Sequence, residues 1–284
     1  MDRTEARETV LTQAHERLGS VAAGLRLTRI LGIGSIGTTY EALSEDGSRR
    51  AIKFFHRVLS NDRLLRCRWA AEHVALQQDL PEAFVQASQV QHGAQGDEFL
   101  VLERLQGESM EACLLRRSLG LPPLEALPLL EQLLQVLDAL HSRRLYHGEL
   151  KVDDLFIETG GRLRLRTLGA LGRDADDDAF AAAARHDRFS AGVLGFVLLS
   201  GHRSLQRRSL LELGDSCERG ELPSLEQVVP SIFPPLSSHF DAWLGAEELP
   251  EFTSAARILR DLQRLKQEYA ASEQAVLRAV RTRL

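Results

Sequence analysis

Apolar positions along the first quarter of the chain change period. Val10, Leu11, Ala14, Leu18 and Val21 recur at helical spacing, which predicts an amphipathic helix over residues 3–22 ended by Gly24. From Leu25 the alternation is strand-like. Leu25–Ile30, Thr38–Ala42 and Arg50–Phe55 read as three antiparallel strands, joined by a glycine-rich turn and by Ser44-Glu45-Asp46-Gly47-Ser48. Residues 61–80 read as a helix and Glu98–Glu103 as another strand. After Gly107 the pattern turns helical. Leu124, Leu127, Leu130, Leu134, Leu137 and His141 mark one face of a long helix entered at Pro122-Pro123. A hairpin follows, 155–157 and 163–165 around Gly160-Gly161, and then a segment, 190–200, so apolar that it predicts a fully buried helix. A β-rich front and an α-rich back, joined near 103–107, imply two lobes with a cleft between them.

Composition narrows the classes. The 284 residues, 44% hydrophobic and 26% charged, suffice for one large core or two lobes and argue against disorder. A net charge of -5 argues against nucleic acid as the main partner. No apolar run reaches the roughly 20 residues needed to span a bilayer, and the amino terminus lacks the basic flank and apolar stretch of a signal peptide. The expectation is a cytoplasmic protein without membrane insertion. Cys67, Cys113 and Cys217 form no C-x-x-C pair, so neither a disulfide framework nor a zinc site is expected. Of 35 basic residues only Lys53, Lys151 and Lys266 are lysine. A compact ammonium on a flexible stem does what a planar guanidinium does not, so each of the three draws notice.

Gly32-Ile33-Gly34-Ser35-Ile36-Gly37 fits G-x-G-x-x-G, and it runs on into β-branched and aromatic Thr38-Thr39-Tyr40 rather than into a helix. A loop between two strands is expected, where bare backbone lets N–H groups approach phosphates. Lys53 follows in Ala51-Ile52-Lys53, and Glu72 stands nineteen residues on in the predicted helix. In this order the sequence resembles the eukaryotic-like serine/threonine protein kinases of bacterial type. The resemblance implies an α+β bilobal fold with a small antiparallel sheet and one helix in the first lobe and a mainly helical second lobe. It implies that Gly32, Gly34, Gly37, Ala51 and Lys53 contact ATP or ADP, with Glu72 bracing the lysine. The stretch 100–108 is similar to the family's hinge, which places the backbone of Glu103 and Leu105 against adenine.

His147-Gly148-Glu149-Leu150-Lys151-Val152-Asp153-Asp154 resembles the catalytic loop H-R-D-L-K-x-x-N. His147, Leu150 and Lys151 are in register, but Gly148 replaces the arginine, Glu149 the base aspartate and Asp154 the metal-binding asparagine. Eighteen residues past Glu149 the magnesium-binding aspartate of D-F-G is replaced by Thr167, with Gly169 kept. Removing one such preorganised group typically costs about a hundredfold to a thousandfold in rate. Asp187-Arg188-Phe189-Ser190-Ala191-Gly192 resembles D-x-W-S-x-G, whose aspartate braces the catalytic loop. Only seventeen residues separate Gly169 from Asp187, and no A-P-E is present. The arginine that would pair with that glutamate falls on Glu251.

The division expected is a helical extension (1–24), a first lobe (25–103), a second lobe (104–265) and an amphipathic extension (266–284) that either docks on its own lobe or offers a face to a protein partner. The acidic run Arg173–Asp178 reads as a solvated loop or a substitute magnesium site. Three functions stay open. One is a pseudokinase that binds ATP or ADP with weak or absent magnesium dependence and acts as a regulator or scaffold. Another is a slow kinase using a degenerate Glu149 and Lys151 loop with Asp154 as metal ligand. The last is an interaction module without nucleotide, for which the bulk of Phe156 beneath the adenine position and Thr167 both argue. Small-molecule phosphotransferases of the aminoglycoside or choline type carry an H-G-D-like loop too, but Lys151 and the 187–192 segment favour the protein-kinase branch.

Overall fold

The computed structural model describes residues 3–34, 36–56, 63, 66–67, 69–70, 80–88, 90–93, 96–117, 120–148, 150–166, 176–201, 216, 221–245 and 252–281. The chain divides into two compact units, residues 1–106 with 166–171 and residues 107–165 with 172–284.

In the first unit, helix α1 (Arg3–Glu16) precedes β1 (Val21–Ala22), β2 (Leu25–Ile33), β3 (Gly37–Leu43), β4 (Arg49–Phe55), β5 (Gln91–His92) and β6 (Glu98–Glu103). They form one antiparallel sheet in the order β1-β2-β3-β4-β6-β5. Alternation gives the sheet two faces. Leu27, Tyr40, Ala42, Ile52, Phe54 and Phe99 cluster on one. Helix α1 lies against it: the Tyr40 hydroxyl donates to the Ala14 carbonyl at 3.1 Å, and the Arg17 guanidinium sits 4.2 Å from the Phe54 ring centroid while donating twice to Asp97. Each large apolar side chain buried there contributes about 1.5–3 kcal/mol. The other face carries Ala51, Lys53 and Phe55, with Leu100 opposite Lys53 on β6. The predicted helix over 3–22 stops at Glu16, because Val21–Ala22 turns back through Ala23 and Gly24, both at positive φ, to pair with β2. Gly24 is a hairpin residue, not a helix stop.

The second unit holds β7 (Gly107–Ser109), α2 (Met110–Arg116), α3 (Pro123–His141), a 3-10 turn (Val152–Asp154), β8 (Leu155–Glu158), β9 (Leu163–Leu165), α4 (Asp177–Ser200), α5 (Leu225–Val228), α6 (Pro234–Gly245) and α7 (Ala255–Arg281). Strands β7, β8 and β9 make a small antiparallel sheet. Residues 190–200 of α4 are all buried, as their composition implies.

Helix α4 begins at Asp177, well before the apolar segment 190–200 that predicted it. The Asp176 carboxylate accepts the Ala179 N–H at 2.8 Å, Asp177 and Asp178 occupy the positive end of the helix, and the alanines from 179 to 184 favour helix intrinsically. Residues 176–178 of the acidic run are therefore a helix start and not a loop, while 173–175 lie outside the described residues. Arg144, at φ 57, holds this turn: it pairs with Asp177 at 2.7 Å and lies 4.9 Å from the Phe180 ring centroid.

Helix α7 is continuous through 265/266. It buries Ile258, Leu262 and Leu265, and the Lys266 ammonium meets the Glu131 carboxylate of α3 at 2.6 Å. Side chains 276, 277 and 279–284, which include part of the predicted partner face, lie outside the described residues.

Candidate functional site

In the first unit the site is built around Lys53. Its neighbours across the sheet are Thr39 on β3 and Leu100 on β6, and the residue is only 9% exposed. A lysine this largely buried needs a stabilising environment for its charge. Part of it is the indole of Trp69, whose ring centroid lies 5.9 Å from the Lys53 Nζ. Trp69 itself is helical, as are residues 66, 67 and 70, and packs on Phe55 at 5.5 Å between centroids. Glu72, expected to brace Lys53, lies outside the described residues, as do Ser35, Glu149, Thr167, Gly169 and Glu251.

The glycine-rich turn precedes β3. The Gly34 N–H donates to the Gly37 carbonyl at 2.9 Å, closing the turn. Gly37 is required sterically, since a Cβ there would collide with the Phe54 carbonyl oxygen. Gly32 and Gly34 differ. Neither has positive φ; a Cβ on Gly32 would meet nothing within 4 Å among the described residues, and one on Gly34 would touch only the Gly37 oxygen at ordinary contact distance. The sheet gives no reason for glycine at either position.

Ala51 is buried opposite Leu102 and Glu41. Glu41 gathers three guanidiniums, Arg104 at 2.9 Å, Arg29 at 3.4 Å and Arg49 at 3.7 Å. Burial pushes its carboxyl up, but Arg104, then Arg29 and Arg49, outweigh this and hold it below the usual glutamate range. At the hinge, Glu103 forms a reciprocal pair with Gln86: its N–H donates to the Gln86 carbonyl at 3.0 Å and its carboxylate accepts the Gln86 N–H at 2.7 Å. Leu105 is buried, and its carbonyl accepts from the Arg104 guanidinium.

In the second unit the loop after α3 is organised by Asp187, whose residue is fully buried. One carboxylate oxygen accepts the His147 N–H at 2.7 Å and lies 3.1 Å from the His141 Nε2; the other accepts the Gly148 N–H at 2.7 Å. Gly148 has φ 80, a conformation that costs a side-chain-bearing residue roughly 1 kcal/mol or more. The bracing role that the family resemblance assigned to Asp187 is thus present in full. Downstream, the Asp154 carboxylate accepts the Lys151 N–H at 3.1 Å while the Asp154 N–H donates to the Lys151 carbonyl at 3.0 Å. Asp154 is buried and Lys151 exposed. Phe156, 9% exposed, pairs with Arg164 and Ser109 on the small sheet. Among the described residues no group of three or more His, Cys, Asp or Glu side chains converges as for a metal ion, and no helix is long and apolar enough to cross a membrane.

A family model described as "Protein kinase domain" matches residues 25–175. The chain belongs to the protein kinase family. Proteins of this family use ATP with magnesium. The kinase domain is 31% identical over 207 residues to the serine/threonine-protein kinase pkn2 of Myxococcus xanthus, covering 62% of this chain and 24% of that protein. It is 23% identical over 195 residues to the serine/threonine-protein kinase PknL of Mycobacterium tuberculosis, covering 62% of this chain and 49% of PknL. The chain thus matches between a quarter and half of the length of these relatives. Among solved structures, the PknI kinase domain of Mycobacterium tuberculosis superposes with a TM-score of 0.64 at 18% identity, covering 87% of this chain and 98% of that one. The protein-kinase fold, with an antiparallel sheet in the first unit and a mostly helical second, is therefore established.

Sequence reasoning did not find Trp69, the Arg17–Asp97 pair, the Glu41 cluster or the Arg144 hold on α4. Trp69 carried one legible signal: it stands three residues before Glu72 in the sequence, the spacing of same-face neighbours in the predicted helix.

Proposed function

We propose that this kinase domain is a pseudokinase that binds ATP or ADP and works as a regulatory or scaffolding partner of another protein. The observation that carries nucleotide binding is the bare backbone at Gly32 and Gly34, which the sheet itself does not require, at the head of the strand pair that presents Lys53. Phosphate groups approach such a turn where any side chain would intervene.

Loss of fast phosphoryl transfer rests on chemistry rather than on geometry. Thr167 has no carboxylate to hold magnesium, and Glu149 carries its acid one methylene farther out than aspartate would; about 1 Å of misplacement costs about a hundredfold. The early start of α4 supports the reading too. Residues 177–186 are helix where the family resemblance calls for an extended segment that docks a peptide.

Thermal shift decides it. ADP and ATP are expected to raise the melting temperature of the wild type with little dependence on magnesium, and Lys53→Ala to abolish the shift. No shift at millimolar nucleotide leaves the interaction module without nucleotide as the answer. A second reading, slow phosphoryl transfer, is favoured by Asp154, whose carboxylate sits at the position of the family's metal-binding asparagine and suits a hard cation. It predicts phosphate incorporation that disappears in both Lys53→Ala and Glu149→Gln.

A further inference from the structure

We infer that Arg104 is a latch on the base end of the nucleotide site: its guanidinium, held by Glu41, lies across the seat of a purine base and has to swing out before one binds. The inference rests on the nucleotide-binding reading, under which Ala51 and the Leu105 backbone meet the base.

Arg104 directly follows β6. Leu100 and Leu102 pair with Lys53 and Ala51 on β4, so Arg104, two residues beyond Leu102, leaves the strand on the sheet face that carries Ala51 and Lys53. Glu41 belongs to the same face, as the partner of Ala51 on the other flank of β4. Strand β4 lies between β6 and β3. The Arg104 Nε stands 2.9 Å from the Glu41 carboxylate, so the side chain reaches over β4 beside Ala51. Its Nη1 donates at the same time to the Leu105 carbonyl. One guanidinium thereby bridges the sheet and the hinge at the two places where the base is expected.

Two observations separate this arrangement from an ordinary surface ion pair. Arg104 lies against the sheet with its side chain 21% exposed, whereas Arg29 and Arg49, on the same carboxylate oxygen, extend into solvent at 61% and 66%. Those two arginines, at 3.4 and 3.7 Å, also stay with Glu41 when Arg104 leaves. Breaking a withdrawn ion pair is costly when it strands a charge, and here Glu41 keeps two partners while the long Arg104 stem carries its own charge out to water. Closed and open forms then differ by little more than one charge-assisted hydrogen bond, which is the condition for a reversible latch. Release also frees the Leu105 carbonyl that the guanidinium occupies.

The test measures adenosine and ADP affinities by calorimetry, with ligand-free thermal unfolding to show that each variant folds. Adenosine is the main probe because it has no phosphate for a lost positive charge to act on. Arg104→Ala is expected to tighten adenosine about three- to tenfold, the factor withheld when one such hydrogen bond keeps the site closed. ADP is expected to gain by the same factor or less, since removing a cation works against its phosphates. Glu41→Gln, which loosens the holder, is expected to tighten adenosine by a smaller factor and to add nothing in the Arg104→Ala background. Should Arg104→Ala not fold, Glu41→Gln carries the test alone.

Adenosine binding that appears only in the variants, where the wild type shows none, sustains the latch as firmly as a tightened one. Unchanged or weaker adenosine binding in Arg104→Ala overturns the latch and leaves the nucleotide reading in place. A further gain from Glu41→Gln on top of Arg104→Ala overturns it as well, because Glu41 then acts without the guanidinium. If neither ligand binds the wild type or any variant at millimolar concentration, the nucleotide reading falls and the latch falls with it.

Discussion

Two buried charges, one in each unit, are held out of water by different means. Asp187 is surrounded by directed donors, the N–H groups of His147 and Gly148 and the His141 imidazole, at 2.7–3.1 Å. Lys53 sits on a strand beneath an aromatic ring. The first arrangement is a clamp: each hydrogen bond fixes a piece of backbone, and the loop has its shape because the carboxylate is there. The second sets the ammonium against a ring face, which is not itself a directed hydrogen bond. A charge enclosed by backbone donors serves the fold, and one leaned against a polarisable face is suited to a ligand. Asp187 braces the backbone at His147 and Gly148 whatever residues stand at 149 and 167.

The comparison breaks most visibly at Asp187. Asp187→Ala leaves two backbone N–H groups buried without their acceptor, and a loss of about 3–5 kcal/mol is expected in denaturant unfolding. A loss below about 1 kcal/mol would mean that the loop does not depend on the clamp. Lys53→Met, by contrast, keeps the aliphatic stem and is expected to stay within about 1 kcal/mol of wild-type stability while the ADP-induced thermal shift disappears.

Glu41 tests an intermediate case, a carboxylate gripped by three side chains rather than by backbone. Glu41→Gln is expected to cost about 1–2 kcal/mol at neutral pH, since charge-assisted hydrogen bonds exceed neutral ones but two of the arginines are exposed. The folded-state pKa is depressed, so this contribution is fully present above the unfolded value near 4.5 and fades as pH falls through the lower folded value. Urea titrations of both proteins from pH 7 to pH 3 should converge at the acid end. If the gap instead widens on acidification, the sign assigned to Glu41 is wrong. The smallest effect is expected for Tyr40→Phe, which removes the hydroxyl donated to Ala14: about 1 kcal/mol, read as a lower melting temperature.

Legibility in the sequence followed the range of the interaction. Strand β6 at Glu98–Glu103 and helix α3 at Pro123–His141 emerged with the limits their patterns announce, because alternation and a Pro-Pro entry act within a few residues. The start of α4 is the exception: its signals are local, the Asp176 cap, Asp177 and Asp178 in the first turn and the alanines from 179 to 184, and the acidic run was read by its charge alone. Val21–Ala22 was drawn out of a helix by pairing with β2.

By itself the sequence determined the family, the glycine turn, the lysine strand and the altered chemistry at Glu149, Asp154 and Thr167, because residue identity and spacing carry all of these directly. Only the tertiary structure decided that Lys53 lies near the Trp69 ring, that Lys266 meets the Glu131 carboxylate and that Lys151 is exposed. Whether Gly32 and Gly34 are demanded by packing was likewise a tertiary matter. Spacing along a chain says what a residue is able to do; the free energy of a charge or a bare backbone depends on what surrounds it in space, and that is settled by contacts between distant segments.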